Sequence, residues 1–266
     1  MKACLLSLLA TLFLIEGCTT AYVQLYKTAS TNTINKDGIY VYENDTLGID
    51  YRFWDDGGIV EFRIRNKSDK PLYLDLKKCT FITKDSRYEY WVDKTMTGIK
   101  FKSYSKINKS DFPNSIGFSS IAAMNVSQTK QERVIFMPPK TYIVKTAYPI
   151  VRDYIYIDKR NTDFTKRVET RNDNPKKQTS VYSKNFQKEN SLVHFRNFLT
   201  FSFKEDFSTE FYTDNEFYVS EMDEMDERHF SQTVRSKNGD PIDTCKYEKS
   251  VDFYKKSNVG IYSGIY

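Results

Sequence analysis

An antiparallel β-sandwich is the fold class that this 266-residue chain predicts, and three observations predict it. Aromatic side chains make up 15% of the chain, with 20 Tyr, 19 Phe and 2 Trp against only 10 Gly, and aromatic residues fit a pleated, half-buried surface. Apolar and polar residues alternate with a period of two in successive short segments, the pattern of strands with one buried face. These segments recur about every ten residues between turn residues, with no helical period among them. The 39% hydrophobic content is enough to bury a core and the 28% charged content keeps the chain soluble, which excludes a disordered chain and a polytopic membrane protein.

The first residues read as an address. Lys2 and the amino terminus give a small positive region, and residues 5–15 are apolar except for Ser7 and Thr11. Such a stretch is too short to span a bilayer and reads as the apolar part of a signal peptide. Leu14-Ile15-Glu16-Gly17-Cys18 resembles the bacterial lipobox, with an aliphatic residue three before a cysteine and a small residue directly before it; Glu16 stands where the pattern usually has a small or aliphatic residue. The resemblance implies that residues 1–17 are removed and that Cys18 is acylated, anchoring the protein to a membrane. An ordinary secretory peptide with a chance cysteine is the alternative. Removal of residues 1–17 leaves 39 basic and 34 acidic side chains over 249 residues, a mature charge of +5. Outside the cytoplasm this balance gives no argument for nucleic acid, and it permits contact with anionic envelope polymers. Residues 18–36 are expected to be a polar, lipidated tether, with residues 22–26 as a first edge strand.

From Ile39 the strand signals follow in quick succession. Leu47, Ile49, Tyr51 and Phe53 alternate with Gly48, Asp50, Arg52 and Trp54. Asp55-Asp56-Gly57-Gly58 supplies the positive-φ residues that a tight hairpin needs. Val60, Phe62 and Ile64 then alternate with Glu61, Arg63 and Arg65 on the returning strand. After a turn at 66–71, Leu72, Leu74 and Leu76 mark a third strand, and residues 88–92 can pair back on 80–83. Residues 93–130 read as a long decorated connection. Residues 132–136 form a strand stopped by Pro138-Pro139, and residues 141–147 and 151–157 give two more. Residues 37–157 thus predict an immunoglobulin-like sandwich.

Residues 158–190 differ in kind. Nine basic side chains stand against five acidic ones, and with few apolar residues the stretch reads as an exposed, mobile loop. The strand pattern resumes at 192–203, 210–213 and 217–220, in a C-terminal region (191–266) expected to pack on or complete the sandwich. Met222 and Met225, three apart, predict one short helix within residues 221–229. With Cys4 removed and Cys18 lipidated, Cys79 and Cys245 remain in an oxidising compartment. A disulfide between them would contribute at most roughly 5 kcal/mol in the chain-entropy model. Two separate buried thiols are the alternative, because Cys79 alternates with Phe81 in a core strand.

Residues that carry chemistry are sparse. His194 and His229 are the only histidines and show no two-ligand spacing, and the GxSxG, P-loop and GxGxxG patterns are absent. His194, between Val193 and Phe195, reads as a structural strand histidine; His229, after an acidic run, reads as solvated. Seven carboxylates lie between Asp214 and Glu227. Without a DxDxDG loop they read as a solvated acidic surface, able to pair with the basic 158–190 stretch, rather than as a calcium site. Asp50, Asp55, Asp56 and Glu61 read as turn and strand-face residues. Trp54 and Trp91, if exposed, are candidates for stacking on sugars, with core packing the plainer reading. No catalytic residue, metal site or cofactor is assigned.

A family resemblance rests on the run from Tyr42 to Tyr51, on residues 62–76 with Asn66-Lys67 and Lys70-Pro71-Leu72-Tyr73, on Glu132-Arg133-Val134-Ile135-Phe136-Met137-Pro138-Pro139 and on Phe195-Arg196-Asn197-Phe198-Leu199-Thr200. These resemble a group of outer-membrane-type lipoproteins of Bacteroides-like bacteria. The resemblance covers most of residues 20–230; it implies an envelope location and a β-rich fold, and carries no catalytic residue over. The tether has no acidic residue before Asp37, so the resemblance implies the outer membrane with the domain facing the periplasm rather than the cell surface. The expected function is a non-enzymatic structural or protein-interaction module that contacts another envelope protein or an anionic polymer. The alternatives are a glycan-binding or glycan-processing accessory protein, and a hydrolase using carboxylate or histidine chemistry.

Overall fold

The computed structural model describes residues 21–84, 86–91, 132–160, 163–235, 241–245, 247 and 252–257. The lipobox-like run with Cys18 and the 93–130 connection lie outside the described residues. The strands are β1 (Tyr22–Ser30), β2 (Ile34–Lys36), β3 (Ile39–Glu43), β4 (Leu47–Arg52), β5 (Ile59–Asn66), β6 (Leu72–Asp75), β7 (Thr80–Thr83), β8 (Arg87–Glu89), β9 (Val134–Met137), β10 (Tyr142–Pro149), β11 (Thr165–Thr170), β12 (Gln178–Asn185), β13 (His194–Ser202), β14 (Glu210–Asp226), β15 (Ser231–Arg235), β16 (Pro241–Cys245) and β17 (Phe253–Lys256); a single helical turn, α1, covers Glu227–Phe230. All pairing between these strands is antiparallel. A ten-stranded sheet follows the path β11-β12-β14-β13-β6-β9, with β1 and β17 added beside β14, and β7 and β8 beside β13. A five-stranded sheet runs β10-β5-β4-β3-β2, and β15 with β16 forms a separate hairpin. An immunoglobulin domain has about seven to nine strands; here the larger sheet alone has ten.

The two sheets share one core, and its centre is aromatic. Phe217 of β14 stands 5.2 Å from Phe53 and from Tyr51, both edge-on, 5.5 Å from Tyr40, and is stacked on Phe195 at 5.0 Å. Offset and edge-to-face rings contribute beyond the area they bury. The apolar sets read from the sequence are the buried ones: Leu47, Ile49, Tyr51, Phe53, Val60, Phe62, Ile64, Leu72, Leu74 and Leu76 all lie in this core. Gly57 and Gly58 have φ of +82° and +71°. A Cβ on Gly58 would lie 2.8 Å from the Phe253 ring, so this turn needs glycine for both conformation and space.

Four expectations are corrected. Residues 22–30 are neither tether nor edge: β1 pairs with β14 on one side and β17 on the other. Val23, Gln24, Leu25 and Tyr26 are all buried. A strand covered on both faces loses the alternation that identifies a half-buried one. Residues 158–190 are not a mobile loop, because β11 and β12 form a hairpin whose inner strand joins β14. Lys159, Arg167 and Lys188 pair with Glu224, Asp223 and Glu216 of β14, and Val181 and Phe186 are buried. The helix expected over 221–229 is strand as far as Asp226. Pairing with β1 skips Ser220, a bulge that reverses which side chains face the core. Met222 therefore joins the main core, while Met225 packs on the opposite face with Val23, Leu25, Val181 and Phe230. Finally, residues 151–157 form no strand but a strap across the core, held by the Gln24 side chain, which donates to the Ile155 carbonyl (2.5 Å) and accepts from its N–H (3.2 Å).

The Cys79–Cys245 bridge is not formed at its Cys79 end: Cys79 is a free, buried thiol. The side chain of Cys245 lies outside the described residues.

Candidate functional site: an arginine fork on the five-stranded sheet

Strand alternation places Gly48, Asp50 and Arg52 of β4, and Glu61, Arg63 and Arg65 of β5, on the face of the five-stranded sheet that points away from the core. Register sets them in rows. Ile34, Val41, Asp50, Arg63 and Val144 form one row across all five strands, and Glu43, Gly48, Arg65 and Tyr142 form the next. Asp50 is only 3% exposed although it faces outward, because two guanidinium groups close over it. Arg63 donates from Nε (2.8 Å) and Nη2 (2.5 Å) to Oδ2, and Arg65 donates from Nη2 (3.1 Å) to Oδ1. One carboxylate thus orients two arginines and leaves the group with one net positive charge.

Gly48 makes this geometry possible: a Cβ there would stand 2.7 Å from Arg65 Nη2. Arg65 Nε is buried and has no hydrogen-bond partner among the described residues. Arg63 also stacks on Tyr142, at 5.8 Å from the ring centre. Glu43 is occupied elsewhere, since Lys67 Nζ stands 2.8 Å from its carboxylate and holds it below the usual range. Burial pushes the Glu61 carboxyl up, opposed by the Arg52 charge. A shallow groove of about 300 Å³ lies over the fork, lined by Lys36, Ile39, Val41, Glu43, Asp50, Arg63 and Arg65. Sequence reading placed Asp50 and Glu61 on a strand face; the alternation of Glu61, Arg63 and Arg65 opposite Asp50 was the signal for the fork itself.

The residues singled out from the sequence do not converge. His194 is half-buried in a second groove of about 280 Å³, beside Lys84, Ser86, Arg152 and Asp153. Its ring lies 6.3 Å from Tyr218, and no hydrogen bond reaches it among the described residues. His229 is buried rather than solvated, because α1 turns it onto the outer face of the large sheet, where Nε2 lies 3.2 Å from Glu169 Oε2. Glu169 also pairs with Arg167, and Arg167 with Asp223, itself the acceptor of a 2.5 Å bond from Ser183. The chain of contacts runs from Ser183 through carboxylates and arginine to His229, and among the described residues no serine or threonine hydroxyl bonds to the His229 ring.

The acidic run is likewise a set of pairs. Asp214 meets Arg196, Glu216 Lys188, Glu221 Lys27, Asp223 Arg167, Glu224 Lys159, Asp226 Arg228 and Glu227 Lys256. Three of these bases come from the 158–190 stretch, as the charge balance suggested. Glu224 is fully buried rather than solvated, receiving Gln24 Nε2 at 3.1 Å and the Tyr154 hydroxyl at 2.6 Å. Trp54 and Trp91 make no common platform. Trp54 packs against Tyr254 on the second core, and Trp91 lies against the main core with Lys77 over its ring.

Among the described residues no helix is long and apolar enough to cross a membrane. Comparison with protein-family models, curated proteins and solved structures finds no match for this chain.

Proposed function

We propose that this chain is a lipid-anchored envelope protein whose sandwich acts as a non-enzymatic interaction module, contacting a partner through the outer face of the five-stranded sheet. The observation that carries the contact is the fork of Arg63 and Arg65 on Asp50. It is set on β4 and β5, both interior strands of the sheet, next to exposed Ile34, Val144 and Tyr142. The lipobox-like run supports the anchor on Cys18. Since β1 begins at Tyr22, the four residues from Cys18 reach about 14 Å at most, so an anchored body would sit close to its membrane. The implied place is the outer membrane, with the domain facing the periplasm.

Cys18→Ser tests the anchor. Metabolic labelling with a radioactive fatty acid is expected to mark the native chain only, and equal labelling of the variant would contradict it. Protease added to intact cells is expected to spare the protein until the outer membrane is permeabilised. Loss from unpermeabilised cells would place it on the cell surface instead.

A further inference from the structure

We infer that the groove beside His194 binds a small organic anion, with its carboxylate or phosphate head on Lys84, Arg152 and His194 and a short apolar tail on aliphatic walls. The site shares no lining residue with the groove over the fork and goes beyond the interaction-module reading. Three separate segments build it. The turn that closes β7 carries Lys84, between Thr83 and Ser86, which exchange backbone hydrogen bonds of 2.8 and 3.5 Å. The strap carries Arg152. On one side of it the Ile150 and Val151 N–H groups donate to the Gly58 and Gly57 carbonyls at 3.0 and 2.9 Å; on the other, Gln24 holds Ile155. The start of β13 carries His194, next to Val193, whose carbonyl accepts from the Val219 N–H at 3.0 Å. The three bases thus meet at one groove from a hydrogen-bonded backbone.

These bases lack the partners that others in the fold have. Arg133, Arg167, Arg171 and Arg196 are each clamped on a carboxylate. Arg152 instead stands over the Tyr88 ring, 4.6 Å from its centre. Contact with a ring face leaves the N–H donors at the guanidinium edge, and none of them meets an acceptor among the described residues. Lys84 and His194 likewise have no hydrogen bond or ion pair among the described residues. Asp153, the one acid in the lining, makes no ion pair among them either, so Lys84, Arg152 and Asp153 together leave one net positive charge. His194 adds a ring N–H in either tautomer. A guanidinium edge beside ammonium and imidazole donors suits carboxylate or phosphate oxygens. The walls set the rest of the ligand. A groove of about 280 Å³ is near the lower end for small-molecule sites. Pro149, Ile150, Ile155 and Leu192 line it, and Leu192 is 41% exposed. Tyr88 is already engaged by Arg152 and by Tyr148, stacked at 4.7 Å, so the tail that fits is aliphatic.

The test uses the full chain, purified in detergent, with four probes: hexanoate, its neutral counterpart hexanamide, acetate and hexyl phosphate. The chain has two histidines, so the readout is the pair of imidazole resonances in histidine-labelled protein, assigned by His194→Gln. Hexanoate or hexyl phosphate is expected to shift the His194 resonance saturably. The His229 resonance is expected to stay in place, since that ring is buried beside Glu169 and outside the groove. Hexanamide keeps the tail without the charge, and acetate the charge without the tail. Each is expected to bind at least about tenfold more weakly than hexanoate. Lys84→Glu and Arg152→Gln are each expected to weaken hexanoate at least about tenfold. Leu192→Asn should weaken hexanoate and leave acetate unchanged. All three side chains are exposed, so the variants should keep the native far-UV spectrum; should Arg152→Gln lose it, Lys84→Glu and Leu192→Asn carry the test.

Tighter binding of hexanoate than of hexyl phosphate would assign a carboxylate head, and the reverse a phosphate head; either supports the site. Equal binding of hexanoate and hexanamide, equal binding of hexanoate and acetate, or indifference to the Lys84 and Arg152 substitutions would each overturn the inference. So would equal shifts at both histidines, or no shift of His194 with any probe.

Discussion

Cys79 lies where the 3₁₀ turn Leu76–Lys78 hands over to β7, and the Thr200 N–H donates to its Sγ at 3.3 Å. Burial pushes the thiol up to about 12, so at neutral pH the thiolate that alkylating reagents need is scarce. Iodoacetamide is expected to label the Cys79 peptide only after denaturation; rapid labelling of the native protein would contradict the burial. Asp75 shows the opposite balance. Burial pushes its carboxyl up, but two hydrogen bonds from Arg133 (2.9 and 2.6 Å) and one from the Lys77 N–H outweigh it and hold the group below its usual range. Asp226 is held down in the same way by Arg228 against burial, and Glu169 by Arg167 and His229. A carboxyl whose folded value lies below its unfolded value contributes stability that is present above the unfolded value and lost as pH falls through the folded one. Thermal melts are therefore expected to show a falling Tm below about pH 4, with a shallower fall in Asp75→Asn. An unchanged slope in that variant would remove Asp75 from the account.

At the scale of elements, the hairpin of β11 and β12 turns a basic stretch into structure by setting it against an acidic strand. Arg167 is bound by both Glu169 and Asp223, and Lys184 by Asp163. Limited trypsin digestion is expected to cleave residues 165–185 slowly despite their many basic sites. Arg167→Glu should make this hairpin the first site cut, and early cleavage of the native hairpin would contradict the pairing. Strand β10 meets a different need. It is an edge of the five-stranded sheet, and Lys145, opposite Phe62, faces the core. Burial alone holds that ammonium below the usual lysine range. An inward-pointing lysine on an edge strand discourages pairing with another chain. Lys145→Met is expected to raise Tm, by relieving roughly 1 kcal/mol of buried-polar cost, and to increase self-association measured by light scattering. A variant that stays monodisperse would deny Lys145 that role.

For the whole molecule, the point is that strands from both ends of the chain share one core. β1 and β17 flank each other, Tyr26 stacks on Phe253 at 4.7 Å, and the Asp252 carboxylate accepts from the Thr28 N–H and hydroxyl. Segments read separately as 37–157 and 191–266 are thus one folding unit. Phe217→Ala, at the meeting point of the two sheets, is expected to cost about 3–5 kcal/mol and to lower a single transition. Near-UV and far-UV signals should still melt together; two separated transitions would mean that the sheets are stable apart.

The sequence by itself determined the strands of the first half, the Gly57–Gly58 turn and the buried set from Leu47 to Leu76, because a half-buried strand writes its orientation into a period of two. It also determined that Asp50, Arg63 and Arg65 share a polar face. Tertiary structure alone decided that β1 lies in the sheet interior, since its partners Met225 and Lys256 are more than two hundred residues away and its doubly buried face erases the alternation. It decided, too, that the acidic run is a strand, because a single bulge at Ser220 shifts the periodicity that would have identified it. And it decided the charge partners, since local patterning encodes which face is covered but not which distant strand covers it, and only that strand determines whether a charge is solvated, paired or left to receive a ligand.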